Sequence, residues 1–184
     1  MNEHEIRPVR ADEWAKVKEL RITALHDPVA AVAFLETVEQ AESKADDFWR
    51  DRAAGAASGR GVRQFVAESA DGQWDGTVTV LVEERGASDL FEGTVEQTQG
   101  HLVGVFVRPE QRGTGLTEAL FEAALDWAWS MEEPVLERVR LFVHEDNPRA
   151  AAFYRRFGFA ASGKVVPMPT DPSAKELEYV FARP

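Results

Sequence analysis

The stretch HLVGVFVRPEQRGTGLTEALFEAALDWAWSM, His101 to Met131, leaves this chain few folds to choose from. His101 to Val107 is short, apolar and β-branched, which predicts a buried strand. Pro109 ends it, and Arg112-Gly113-Thr114-Gly115 makes a turn with two glycines. From Leu116 the apolar spacing becomes helical. Leu116, Ala119, Leu120, Ala123, Ala124, Trp127, Ala128 and Met131 share one face, while Glu118, Glu122 and Asp126 share the opposite one. Pro134 closes the helix, because the residue before a proline avoids the α region.

A glycine turn feeding a helix N-terminus suits an anion. The first N–H groups of a helix have no partner within it, and the dipole adds roughly half a positive charge there. Glycine lets the backbone approach a phosphate and adopt positive φ. A P-loop is excluded, since Leu116-Thr117 rather than Lys-Ser/Thr follow Gly115. A dinucleotide fingerprint is excluded too, because Glu118 stands where its last glycine belongs. On the residues alone, a plain connection that binds nothing stays open beside an anion site.

A second stretch, VRLFVHEDNPRAAAFYRRFGF from Val139 to Phe159, narrows the choice. With the first it resembles the GNAT superfamily of acyl-CoA-dependent N-acyltransferases. The first motif is Arg112, Gly113, Thr114, Gly115, Leu116 and Thr117, and the second is Asn147, Ala150, Tyr154, Gly158 and Phe159. Both stand in the family's order and spacing. Thr117 departs from the pattern, where the family usually carries Gly or Ala. Its β-branched side chain would either crowd a pyrophosphate or donate its hydroxyl to it.

A chain of 184 residues suits one domain, with about 70% of the unfolded surface available for burial. It contains no cysteine, which removes disulfides, thiolate metal sites and a Cys nucleophile. His4, His26, His101 and His144 form no metal-ligand pair, and no Gly-x-Ser-x-Gly elbow is present. The opening MNEHEIRPVR has no signal-like apolar run, and no stretch approaches the ~18 apolar residues of a membrane span. A soluble cytoplasmic protein that touches no membrane is expected. The net charge of −11 argues against nucleic acid as a partner. An acidic surface favours a cationic acceptor, and equally gives solubility.

The remaining chain reads in order. Ile6 to Arg10 is a strand, and Asp12 is placed to cap a helix running to about Leu25. Val29 to Glu42 fits helix and loop alike. Asp46 or Asp47 opens a helix ended by Gly59-Arg60-Gly61. Val62 to Glu68 and Thr77 to Glu83 are strands, with Asp71-Gly72 and Asp75-Gly76 as turn signals between them. Glu84 to Gly100 is a long polar connection. Arg138 to Val143 reads as an interior strand, apolar on both faces. Gly163 to Val166 and Lys175 to Phe181 flank a loop holding Pro167, Pro169 and Pro172. The expected architecture is a single α/β (α+β) domain spanning residues 1–184. It has a mixed sheet of about six or seven strands, helices on both faces, and, by the resemblance, a splay between the two central strands.

Asn147-Pro148 is also a good helix start, and Gly158 a good helix end. Capping uses one side-chain oxygen of Asn147 and leaves its amide N–H groups free. Gly104 interrupts a β-branched strand, which marks a bulge or a close approach. The resemblance implies the bulge, together with a freed N–H that polarises the acyl carbonyl as an oxyanion hole would. It implies acetyl-CoA as acyl donor, with no metal. The pyrophosphate would rest on Gly113, Thr114, Gly115, Leu116 and Thr117, with Arg112 and Arg108 near. Val105 and Val107 would run beside the pantetheine arm, and Asn147 and Tyr154 would face the cofactor. Tyr154 would be the general acid, protonating the thiolate that coenzyme A leaves as; a partly buried aromatic is its plain alternative. His101 would accept the amine's proton; a surface histidine at a strand end is its alternative, and Glu68, Glu83 and Glu96 are rival bases. The acceptor would be a primary amine of a small molecule or peptide, attacking directly in a ternary complex. A homodimer would fit the family. The rival reading is a noncatalytic acyl-CoA-binding or interaction module on the same fold.

Overall fold

The computed structural model describes residues 3–184. One seven-stranded sheet runs through it in the order β1-β2-β3-β4-β5-β7-β6. The strands are β1 (Glu5–Pro8), β2 (Val62–Glu68), β3 (Trp74–Glu83), β4 (Gln99–Val107), β5 (Arg138–His144), β6 (Ala160–Met168) and β7 (Asp171–Ala182). All neighbours are antiparallel except β4 and β5. The mixed sheet of six or seven strands expected from the sequence is the sheet observed.

Helices cover both faces. On one lie α5 (Leu116–Ser130) and α6 (Pro148–Phe157), whose Leu120, Phe121, Ala124 and Ala151 pack on Val78, Val80, Leu102, Leu141 and Val143. On the other lie α1 (Trp14–Leu25), α2 (Ala30–Ala33), α3 (Val38–Glu42) and α4 (Asp46–Ser58), packed round the fully buried Trp49. The helical spacing from Leu116 supplies four of the six buried residues of α5 (Leu116, Leu120, Ala124 and Ala128), and the adjacent Phe121 and Leu125 widen that face, which is why the helix seals the first core.

Several local expectations need correction. Asp12 caps nothing, for it lies inside a 3-10 turn, Ala11–Glu13, that leads into α1. Glu13 closes that start, accepting from the Arg10 N–H at 2.8 Å and from both terminal nitrogens of Arg7. Val29 to Glu42 resolves into α2 and α3, the latter opened by a capping box in which Thr37 and Gln40 each accept the other's N–H. Asp75-Gly76 is not a turn but part of β3, and the turn is made at Ser69 to Gly72. Gly76 is instead a close-approach glycine, since a Cβ there would lie 3.0 Å from Leu120 Cδ1 and 3.1 Å from Phe106 O. The terminal hairpin is longer than its prolines implied. Pro167 lies within β6 and Pro172 within β7. β6 is an edge strand, where a missing N–H is tolerated.

The expectation that β5 is apolar on both faces is also wrong. Arg140 is 1% exposed and Glu178, on the paired strand, 2%. Each strand turns its apolar set (Val139, Leu141, Val143; Leu177, Tyr179, Phe181) to α5 and α6. The alternate residues build a charged layer on the opposite face. Arg140 donates to Glu83, Glu178 and Asp89 at 2.8–3.1 Å. Asp89 comes from the long polar connection between β3 and β4, so that segment is tied to the centre of the sheet.

Candidate active site

The middle of the sheet is built to open. Between β3 and β4 the register passes from Thr77↔Phe106 to Thr79↔Val103, so Gly104 and Val105 face the single residue Val78. That is a bulge, and Gly104 takes the φ of +61° it needs there. The bulge resets the strand's phase. Leu102 before it and Val105 and Val107 after it all face the α5 side. On its other edge β4 pairs with β5 only at Gly100↔Val139 and His101↔Arg140, and beyond these the parallel strands splay apart. Gly104 and Val105 therefore border the gap. A cavity of about 1180 Å³ fills it, lined by residues from both faces of the sheet.

At one end of this cavity lies the glycine turn. Gly113 and Gly115 take φ of +78° and +90°, conformations that an L side chain resists. Among the described residues the N–H groups of Gly113, Thr114 and Gly115 donate to nothing, and the first α5 bond runs from Ala119 N–H to Gly115 O. Donors and helix dipole thus converge on one spot. Arg112, Gly113, Gly115 and Thr117 line the cavity, as do Val105 and Val107. Thr114 and Leu116 do not turn their side chains to it. The Thr114 hydroxyl donates to Gln111 O at 2.6 Å, and Leu116 is fully buried in the core. Only their backbone is available to a ligand. Arg108 is aimed away, donating to Trp74 O at 2.9 Å. Arg112 is held at the rim, its Nε on Val107 O and its terminal nitrogen 2.7 Å from Asp27.

Gly115→Asp would set a carboxylate beside those donors; were the cofactor's pyrophosphate held at this turn, the expected result is a large loss of acetyl-CoA affinity by calorimetry. Since Gly115 has positive φ, circular dichroism must first show a folded variant. Unchanged affinity in a folded variant would move the phosphate site elsewhere.

Asn147 and Tyr154 both line the cavity from α6. Asn147 caps that helix, accepting the Ala150 N–H at 3.4 Å. The Tyr154 ring stacks on Phe121 at 5.8 Å between centroids and 10° between planes. Its hydroxyl has no hydrogen-bond partner among the described residues. Burial, and then the negative charge of Glu176, push the phenol up to about 12. It therefore stays protonated across the physiological range.

His101 is no surface histidine: it is 2% exposed and packs beside Phe142. Its Nδ1 lies 3.2 Å from Glu83 Oε2, which leaves Nε2 to act on anything else. Burial raises the Glu83 carboxyl, but hydrogen bonds from His101 and Arg140 outweigh it and hold it at about 2. Glu83 is thus a fixed anion that orients the imidazole rather than a free base. Of the other rival bases, Glu68 is tied to Arg7 and the Trp74 indole, and Glu96 is exposed.

Residues that the sequence reading passed over also line the cavity. Arg149, on the first turn of α6, stands exposed at the wall beside Asn147. Glu176 and His144 are 6% exposed and are cross-strand partners on β7 and β5. The alternation Lys175-Glu176-Leu177-Glu178-Tyr179 reads as a strand with a wet face. Its one contrary signal is the matching alternation Arg138-Val139-Arg140 on a strand otherwise fit for the interior.

Residues 14–159 match the sequence model of the Acetyltransferase (GNAT) family. The chain is 34% identical over 112 residues to the aminoglycoside N(6')-acetyltransferase type 1 of Stenotrophomonas maltophilia, covering 60% of this chain and 69% of that protein. A spermidine N-acetyltransferase from Vibrio cholerae, solved with CoA and spermine, superposes with a TM-score of 0.69 at 16% identity, over 99% of this chain and 96% of that one. An acetyltransferase of the GNAT family from Streptococcus pneumoniae gives a TM-score of 0.71 at 17% identity, over 98% and 100% of the two chains. The chain belongs to the GNAT family and is an N-acetyltransferase of it. No helix among the described residues is long and apolar enough to cross a membrane.

Proposed function

We propose that this protein moves the acetyl group of acetyl-CoA to a primary amine, by direct attack within a ternary complex. The observation that carries this is the continuous cavity. It joins the N–H groups of a glycine turn and a phenol hydroxyl, which bond to nothing among the described residues, with a bulged and splayed strand edge. In this reading the pyrophosphate sits on the N–H groups of residues 113–117, with Arg112 at the rim. The pantetheine arm lies in the splay beside Val105 and Val107, completing the strand edge that β5 leaves open. A bulge N–H at Gly104 or Val105 polarises the acyl carbonyl. The absence of cysteine agrees with direct attack, because no thiol can carry the acyl group.

His101 takes the ammonium proton, directly or through water, and Glu83 fixes the tautomer that leaves Nε2 as acceptor. Tyr154 supplies its hydroxyl to sulfur. A phenol near 12 gives up its proton uphill to a thiolate, so its help is greatest as a hydrogen bond while charge develops. His101→Ala tests the first role. Its activity should fall at neutral pH and recover in part at high pH, where free amine is plentiful. A pH profile superimposable on that of wild type would leave His101 as a structural member of the Arg140 layer.

The relatives point to the kind of acceptor. One is described as acting on aminoglycosides, and a structural neighbour is described as acting on spermidine. Both acceptor classes carry several amines. A polyamine or amino sugar is therefore the first acceptor to try.

A further inference from the structure

The buried carboxylates of this protein are paired, with one exception. Glu83, Asp89 and Glu178 share Arg140, and Asp75 meets His4 and Gln73. Among the cavity's own carboxylates, Asp27 is bound to Arg112 and Glu36 to Arg21 and Lys44, while Asp51 and Glu118 are exposed. Glu176 is 6% exposed, lines the cavity, and has neither hydrogen bond nor ion pair among the described residues. A buried carboxylate without a partner is costly, and groups perturbed in this way gather where protons move.

Glu176 also stands level with the reacting centre. In the parallel register set by Gly100↔Val139 and His101↔Arg140, the bulge at Gly104 and Val105 lies level with Val143 and His144. The proposed function sets the acyl carbonyl at that bulge. His144 pairs with Glu176, which brings the carboxylate to the same line. Its negative charge reaches the Tyr154 phenol, the group set to serve sulfur. His101 precedes Gly104 by three residues, roughly 10 Å along the strand at ~3.3 Å per residue. The groups packed round Glu176 do not compete with it for a proton. His144 Nδ1 accepts the Asp146 N–H at 3.0 Å, which leaves its Nε2 as a donor. Val166, opposite on β6, is apolar, and Arg149 on α6 makes no ion pair with Glu176.

An ammonium loses two protons on becoming an amide, one before attack and one after the N–C bond forms. We infer that Glu176 takes the second of these and returns it, across the Tyr154 hydroxyl, to the departing sulfur. This rests on the acetyltransferase reading above and adds a catalytic residue to it. The nitrogen becomes positive as it bonds to carbon, and its proton moves to the Glu176 carboxylate. When the C–S bond breaks, its electron pair goes to sulfur. Tyr154 gives its proton to that sulfur while taking the one on Glu176, so both side chains end as they began. The first proton leaves through His101 to water. Burial pushes the Glu176 carboxyl up to about 7, so its proton passes downhill to a thiolate of ordinary pKa ~8.5. A phenol near 12 cannot make that transfer favourable alone.

The test measures single-turnover acetyl transfer to spermidine, or to kanamycin where that is faster. It compares wild type, Glu176→Gln, Tyr154→Phe and the double variant, with acetyl-CoA calorimetry on the same preparations. Gln keeps the shape and removes an unpaired buried charge, so the variant should fold and bind acetyl-CoA as wild type does. Its transfer rate should fall about 10²–10⁴-fold. The loss should persist at high pH, where His101→Ala recovers, because a free amine still has its second proton to lose. The double variant should be no slower than the slower single one, since the two residues act in one relay. A near wild-type rate in Glu176→Gln overturns the shuttle and leaves acetyl transfer standing. Losses that multiply in the double variant overturn it too, by separating Glu176 from Tyr154. Recovery of Glu176→Gln at high pH overturns it as well, by making Glu176 the acceptor of the first proton. A wild type that binds acetyl-CoA but acetylates neither these nor any other amine defeats the acetyltransferase reading itself, and the shuttle with it.

Discussion

Replacing Tyr154 by Phe should lower kcat by about 10²–10⁴ and leave the acetyl-CoA dissociation constant almost unmoved. The substitution removes only an oxygen. The ring keeps its stack on Phe121 and its edge contacts with Phe153 and Phe159, so packing is preserved. The hydroxyl bonds to no described residue, so no internal hydrogen bond is lost. In the proposed role, what disappears is a donor that acts while charge builds on sulfur, and such a group enters kcat rather than ground-state binding. Steady-state thiol release paired with calorimetry reads both quantities. Near wild-type kcat would end the acid assignment, given pre-steady-state evidence that chemistry and not product release limits turnover. A large loss of affinity at constant kcat would make Tyr154 a binding residue.

Arg140→Met should be the most damaging change to stability, by about 3–5 kcal/mol. Methionine keeps much of the stem's volume, but three buried carboxylates lose their shared cation. Glu83 then retains His101 and Gln99, Glu178 retains Ser162 and a longer contact to Arg138, and Asp89 retains two N–H groups. Those bonds hold the geometry without neutralising the charge. Urea unfolding measures the loss, and adding Glu83→Gln should recover part of it, because the two residues are coupled. A loss below about 1 kcal/mol would mean that water reaches this layer and screens it. The pH dependence has a defined sign. Glu83 is held at about 2 against an ordinary 4.5, so its stabilisation is complete above pH 4.5 and is lost as pH falls toward 2.

What the sequence made legible follows from how local each signal is. The helical spacing after Leu116, the Asn147-Pro148 start of α6 and the glycine that breaks β4 are written in neighbouring residues. All three correspond to elements observed, and they position most of the cavity wall. Other features depend on partners far along the chain. Arg140 meets Glu83, Asp89 and Glu178, from β3, from the loop after it and from β7, and nothing beside Arg140 announces them. Asp75-Gly76 has the composition of a turn, yet Gly76 is needed where Leu120 and the Phe106 carbonyl press close. Glu176 lies on what reads as a solvent face, yet it is 6% exposed at the cavity wall. The motif residues were thus readable from the sequence, while the ion-pair layer and the acceptor side of the cavity required the tertiary arrangement.

The central claim is acetyl transfer to an amine at this cavity. The most direct measurement is a screen of amines, including spermidine and an aminoglycoside, with acetyl-CoA and purified wild-type protein. Thiol release is followed continuously and the amine product is weighed by mass spectrometry. The account predicts amine-dependent release of coenzyme A, with one acetyl group gained by the acceptor for each thiol freed. Tight acetyl-CoA binding with no amine-dependent release across the whole panel would contradict it, and would leave a protein that holds the cofactor without using it.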